Sequence, residues 1–320
     1  MGEPSLTSVD LFVSKDTAKN VILREYNTKY ILRFKKSTNK DKTKSMNNLE
    51  AYKMDGLGND FVILDKRKHS IALTKEQIIK ISDRNNIGCD QVIFINEDKN
   101  NDAFLEFYNS DGEEISACGN GSRCVAYLLM KEKNKTKISL RTKAGILEAQ
   151  INDKNLVSVN MGQPKFIWNK IPLAKEMDNK NLQIKIKNDE GNEVIGGFAL
   201  SVGNPHIIFF VKDLNKFDLK KIGPKIENHN YFPEKCNVTL ACIKDKAHVK
   251  IKVWERGAGL TKACGTAACA TAVSGAILKI NEKCVDVEFE EGLLNINWGK
   301  DNNIYMKGKV SQIKKIKISI

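Results

Sequence analysis

From Ala51 onward the chain reads as short apolar or alternating runs separated by Gly, Asn and Asp. FVILD (61–65), QVIFIN (91–96), AFLEFYN (103–109), KISLRT (137–142) and ILEAQIN (146–152) open the series. LVSVNMG (156–162), HIIFFV (206–211), HVKIKVWERG (248–257), VDVEFEEG (285–292) and LLNINWG (293–299) continue it. Runs of this length, rich in β-branched and aromatic residues, predict strands. Helical spacing is rarer: TKEQIIKISDR (74–84), the segment after Gly119 and the segment after Gly265. About ten strands against three helices predict a largely antiparallel α+β fold, not a doubly wound parallel sheet.

Two of the helices begin alike. ISACGNGSRCVAY (115–127) and TKACGTAACATAV (261–273) each place Ala-Cys-Gly before an apolar run. The second run is small or apolar on nearly every face, so that helix is expected to be buried all round. The first, with Val125, Leu128 and Leu129, looks similarly enclosed. Cys264 follows Cys118 by 146 residues, about half the chain beyond Met46. That spacing implies an internal duplication: two homologous halves, each wrapping its sheet around one central helix, with the two helix mouths facing a shared cleft.

Residues 1–50 do not share the pattern. Apolar positions there are scattered, a lysine-rich run closes the segment, and Glu3, Asp10, Asp16, Glu25 and Asp41 spoil a transit-peptide reading. The segment is expected to be an extension of unknown role, disordered or upstream of a true start at Met46. Residues 51–163 then form the N-terminal domain, completed by a C-terminal strand at 310–320, and 164–309 form the C-terminal domain.

The chain has 320 residues, 52 basic against 39 acidic, for a formal charge of +13. That balance raises the question of nucleic acid. The lysines sit in Asn-rich loops such as EKNKTK and EDKNND, without interleaved aromatics, so a solvated surface is expected instead. No apolar run reaches the ~18 residues a membrane helix needs. Eight cysteines, with no C-x-x-C pair and four histidines in all, fit reduced thiols in a cytoplasmic protein better than disulfides or a zinc site.

A helix mouth carries unpaired N–H groups and about half a positive charge. It attracts carboxylates and lowers a thiol pKa. A glycine after each cysteine leaves room for a ligand to approach the backbone. Two such mouths suit inversion at carbon, in which one sulfur removes a proton and the other returns one to the opposite face. Singly, each cysteine reads as a small buried hydrophobe. The matched pair points to catalysis.

MDGLGNDFVILD, NSDGEEISACGNGSRCVA, GNPHIIFFV and VWERGAGLTKACGTAACA, in that order, resemble the diaminopimelate epimerase family from about Tyr52 onward. The resemblance implies two related domains under pseudo-two-fold symmetry, each a β-barrel-like sheet around a central helix, with the active site in the cleft between them. It implies interconversion of LL- and meso-2,6-diaminopimelate without pyridoxal phosphate, metal or other cofactor. Cys118 and Cys264 fall on the catalytic positions. Asn59, Gln91, Asn109, Asn204, Asn237, Glu255 and Arg256 fall on the substrate contacts, Gly119, Asn120, Gly265 and Thr266 on the carboxylate cradle, and His206 on a supporting position. The implied partner is the small-molecule substrate, with a homodimer compatible and neither nucleic acid nor membrane expected. Leu260 and Ala267 depart from the family's usual glutamate and glycine, which bears on a supporting hydrogen bond more than on the reaction. Two alternatives stand beside this reading. A proline or hydroxyproline racemase has the same fold but usually has Gly-His after its first cysteine and lacks the Glu-Arg pair. The other alternative is a non-catalytic basic binding module.

Overall fold

One order of pairings occurs twice along the chain. Asn48–Gly56 pairs antiparallel with Asn59–Asp65, and a crossover through helix α1 (Lys75–Ser82) brings Gln91–Asn96 in parallel. Ala103–Asn109 follows antiparallel, and helix α2 (Gly119–Lys133) crosses to the parallel strand Lys137–Thr142. Gly145–Asp153 and Leu156–Asn160 close the set antiparallel. The second half repeats it with Phe198–Ser201, Pro205–Phe210, helix α3 (Leu219–Glu227), Asn237–Asp245 and His248–Glu255. Helix α4 (Gly265–Ile277), Cys284–Phe289, Gly292–Trp298 and Ile304–Lys309 complete it. In this computed structural model, residues 11–12, 20–25, 28–33, 48–68 and 70–319 are described.

The halves join where Leu156–Asn160 pairs antiparallel with Ile304–Lys309 and Val159 faces Met306. Val159 and Met306 are 147 residues apart, as are Gly145 and Gly292, which open equivalent strands at φ 138° and 141°. Two equivalent residues paired with each other mark a pseudo-two-fold axis. The last strand, Lys314–Ser319, returns to pair with Asn48–Gly56. The fold is thus the expected α+β duplication.

Each half buries its own helix. Val125, Leu128, Leu129 and Met130 of α2 pack with Phe61, Ile63, Ile93 and Phe107. Ala267, Ala268, Ala272 and Val273 of α4 pack with Ile251, Val287, Leu294 and Ile296. Each fully buried aliphatic side chain contributes about 1.5–3 kcal/mol. Small residues on α4 let its sheet close around it.

Helix α3 is absent from the pattern-based expectation. It carries Gly223 and Pro224, residues that ordinarily interrupt a helix, inside its span. A Cβ on Gly223 would come within 2.6 Å of the Trp254 ring, so the glycine seats that indole, whose Nε1 donates to Glu227 at 2.7 Å. The strands Asn237–Asp245 and Ile304–Lys309, and the hairpin Ile184–Lys187 with Glu193–Gly196, are also additions, whereas Lys314–Ser319 falls in the segment expected to hold a closing strand.

The leading unit, Met1–Asn47, contains a three-stranded antiparallel sheet of Leu11–Phe12, Asn20–Glu25 and Thr28–Arg33. The expected start at Met46 lies outside the described residues.

Candidate active site

Cys118 caps α2 and Cys264 caps α4, with nearly the same backbone: φ −141°, ψ 116° and φ −137°, ψ 112°. Each cap carbonyl accepts the first helical hydrogen bond, from Ser122 at 2.8 Å and from Ala268 at 3.1 Å. Extended backbone at the cap swings the sulfur back toward the helix mouth. Gly121 N–H lies 3.5 Å from Cys118 Sγ, and the Thr266 hydroxyl lies 3.4 Å from Cys264 Sγ.

The mouths meet at one side chain. A Cβ on Gly119 would lie 2.8 Å from Met306 Cε, and one on Gly265 would lie 3.2 Å from the same methyl and 2.7 Å from its sulfur. Both glycines are thus required by Met306, on the pseudo-two-fold axis. The missing side chains also admit the axis methionine, a reason for glycine beside the expected one. Asn120 Oδ1 also reaches across, 3.6 Å from the same Cβ position at Gly265.

Glu255 is the second shared element. It ends strand His248–Glu255, and Thr261 Oγ1 donates to its carboxylate at 2.6 Å. Burial raises its pKa, and the Thr261 bond opposes that rise. Its charge acts on both sulfurs. Burial pushes the Cys118 thiol up to about 11, with the Gly121 N–H opposing and Glu255 adding to the rise. Burial and then Glu255 hold Cys264 well above the usual thiol range. The expected acidification by the helix mouths is therefore outweighed, and both thiols are protonated at neutral pH. Desolvation disfavours the charged form more than the mouth's N–H groups restore it.

The remaining predicted residues ring these mouths. Asn59 Oδ1 is 3.8 Å from Cys118 Sγ, and its Nδ2 donates to Asp90 at 2.8 Å, which fixes the amide orientation. Arg84 ties Asp90 to Asp60. Across the axis, Asn204 Nδ2 donates to Thr266 Oγ1 at 3.4 Å, while His206 Nε2 lies 2.9 Å from Asn204 Oδ1. His206 is fully buried, and burial, with the charge of Arg256, lowers its pKa to about 3. It is neutral, so Nε2–H donates to Asn204 Oδ1, an acceptor only. His206 thereby reaches Cys264 through Asn204 and Thr266.

Gln91 Nε2 donates to Asn109 Oδ1 at 3.1 Å, and Gln91 Oε1 is a buried acceptor with no partner among the described residues. Asn237 is engaged by the scaffold: its Nδ2 donates to Pro205 O and its Oδ1 accepts from Arg256 N. Arg256 is exposed, with Nη1 donating to Glu234 O at 3.0 Å. Leu260 is 45 % exposed and Ala267 is buried in the α4 core. The hydroxyl that supports Glu255 belongs to the next residue, Thr261.

Residue patterns missed Asp90, Arg84, Thr261 and Met306. Asp90 and Thr261 stand beside residues singled out in the sequence. Nothing in the sequence marks Met306, because its role comes from the axis.

A family model described as diaminopimelate epimerase matches residues 51–167 and 198–313. A protein named diaminopimelate epimerase from Pelagibacter ubique (strain HTCC1062) is 57% identical over 272 residues, spanning 85% of this chain and 99% of that one. One so named from Acidiphilium cryptum (strain JF-5) is 41% identical over 262 residues, 82% of this chain and 93% of that one. Among solved structures, the Bacillus anthracis phenazine biosynthesis protein of the PhzF family superposes with a TM-score of 0.59 at 18% identity, covering 86% of this chain and 100% of that one. That last likeness concerns the fold alone. On the family match and these relatives, the chain belongs to the diaminopimelate epimerase family and is an isomerase.

Proposed function

We propose that this chain epimerises LL-2,6-diaminopimelate to meso-2,6-diaminopimelate, a step toward lysine and peptidoglycan precursors, by two-thiol proton transfer. One sulfur, as thiolate, removes the α-proton, and the thiol opposite returns a proton to the other face. The roles exchange in the reverse direction. The observation that carries this reading is the convergence of both cysteine-capped helices on Met306 and Glu255.

Both thiols start protonated, so one gives up its proton to solvent as substrate enters. The reacting carboxylate lies across the mouths, near the N–H groups of Gly119, Asn120, Gly265 and Thr266. As negative charge builds on it, each well-aimed donor contributes about 2.7–4 kcal/mol. The α-ammonium favours a nearby thiolate and so offsets part of the burial penalty. Gln91 Oε1, buried and without a partner, is an acceptor for an ammonium hydrogen. Exposed Arg256 is free to fork onto the distal carboxylate. The reading requires no separate cofactor.

Proton NMR in D₂O tests it. With LL-diaminopimelate, the α-proton signal is expected to vanish as deuterium enters and the meso form accumulates. Exchange of proline in its place would select the racemase. Exchange of neither, with salt-dependent binding to nucleic acid, would select the basic module.

A further inference from the structure

The largest side chain fully sealed from water is not apolar. It is Arg123, in the second turn of α2 and 0% exposed. Taking such a charge out of water costs several kcal/mol unless partners replace the lost hydration. Arg123 has little replacement. Its Nη2 donates to Asn120 Oδ1 at 2.8 Å, Nε and Nη1 have no partner, and no ion pair is made to it among the described residues.

Even so, both halves make space for it. A Cβ on Gly308, in the strand Ile304–Lys309, would lie 1.7 Å from Nη1, and one on Gly56 would lie 3.4 Å from Nη2. The position 146 residues further on is Cys269, in the same turn of α4. A single guanidinium therefore sits in a frame that otherwise repeats. Asp55, Cys118, Cys124 and Cys269 face its charge, and Glu255 faces Cys118.

We propose that Arg123 is a positioning residue for the thiol pair: it clamps Asn120 against the entrance of α4 and supplies a buried positive charge that favours the Cys118 thiolate. The first role follows from geometry. Nη2 holds Asn120 Oδ1, and that oxygen lies 3.6 Å from the Cβ position of Gly265, so the residue that follows Cys118–Gly119 is fixed to the opposite mouth. The second follows from place. Arg123 is sealed from water in the second turn of the helix that Cys118 caps. Burial lowers its own pKa, yet a guanidinium there opposes the burial and the Glu255 charge that disfavour ionised sulfur. The inference rests on the two-thiol reading.

The test uses the full chain with Arg123→Met, which keeps an unbranched apolar stem without the charge, and Arg123→Lys, which keeps charge without the fork. Three measurements are needed: urea denaturation, iodoacetamide alkylation of Cys118 read by peptide mass spectrometry across pH, and epimerisation kinetics. Replacing an ill-paired buried charge by an apolar group is neutral or stabilising, so R123M is expected to keep or raise its urea midpoint. Its Cys118 alkylation is expected to slow about tenfold at a given pH, equivalent to about one unit in thiol pKa. Its kcat should fall roughly 100-fold with KM changed less than about threefold. R123K should recover the alkylation rate and only part of kcat. The proposal is overturned where R123M alkylates Cys118 at the wild-type rate, or where it loses turnover and stability together. Alkylation needs no substrate, so it decides on Arg123 even where the wild-type chain fails to epimerise diaminopimelate.

Discussion

The two halves share a frame and differ in charge. Phe61 pairs with Gln91 as His206 pairs with Asn237, so Asn59 and Asn204 are counterparts, two residues upstream in each half. Val92 faces Tyr108 as Val238 faces Trp254, which sets Asn109 and Glu255 at one position. At that position the first half has a neutral amide and the second a carboxylate. Beneath the mouths the order reverses, with Arg123 in the first half and Cys269 in the second. The symmetric part suits what proton transfer on two faces shares: a sulfur, a helix end and an orienting asparagine. The asymmetric part suits what a single substrate cannot share, because its two ends and two faces differ.

The harshest way to break the comparison is to remove one sulfur at a time. Cys118→Ala and Cys264→Ala are each expected to lower epimerisation by about 10³-fold or more, with the thermal midpoint nearly unchanged. Equal losses fit a pair in which every turnover uses both. Near-normal turnover in either variant would break the equivalence of the halves.

Exchanging the differing residues comes next. Glu255→Gln removes the negative charge that acts on both sulfurs. Thiolate then forms more readily, so Cys264 alkylation is expected to begin at lower pH, while kcat/KM is expected to fall roughly 10–100-fold through loss of the proposed substrate contact. Asn109→Asp places a carboxylate at the equivalent site and should move Cys118 alkylation to higher pH. Alkylation profiles that move in the opposite directions, or not at all, would show that the carboxylate is remote from the sulfurs.

A smaller effect separates the two orienting asparagines. Asn59 is pinned by the carboxylate of Asp90 and Asn204 by neutral His206. The native pKa of His206, about 3, is below its unfolded value. The unfolded chain therefore binds the extra proton as pH falls below about 6.5, and stability drops by up to about 1.4 kcal/mol per pH unit until the native group also titrates. Urea midpoints across this range should show a shallower loss in His206→Gln than in the wild type. Parallel curves would mean that His206 takes up its proton at the same pH in the native and unfolded states.

How far this was legible in the residues varied by scale. The duplicated Ala-Cys-Gly motif revealed the two halves and their helices because glycine and cysteine are sparse enough to mark a position. The strand Asn237–Asp245 escaped because NVTLACIKD lacks strict alternation, although Asn and Asp bound it. Helix α3 escaped because Gly223 serves Trp254, a tertiary reason that overrides local propensity. The thiol chemistry was half legible. The helix mouths were visible in the sequence, but the burial and the Glu255 charge that raise both pKa values arise only from the folded surroundings.

The mildest test asks whether the repeat extends to its turns. Gly145 and Gly292 open equivalent strands at φ 138° and 141°, a region that side chains rarely adopt, so the backbone term of an alanine substitution should match in the two halves. Their surroundings do not match. Nothing among the described residues lies within 4 Å of a Cβ at Gly145, whereas one at Gly292 would lie 2.9 Å from Leu57 Cδ1, in the hairpin tip of the other half. Gly145→Ala is expected to cost about 1 kcal/mol from the backbone alone. Gly292→Ala should cost roughly 1–3 kcal/mol more as Leu57 is displaced. Truncating Leu57 to alanine in the Gly292→Ala background removes the overlap and should bring the two glycine costs together. A double-mutant cycle on urea denaturation measures that coupling. A coupling near zero would mean that the two hairpin tips do not touch in solution, and that the closed arrangement of the mouths does not depend on them.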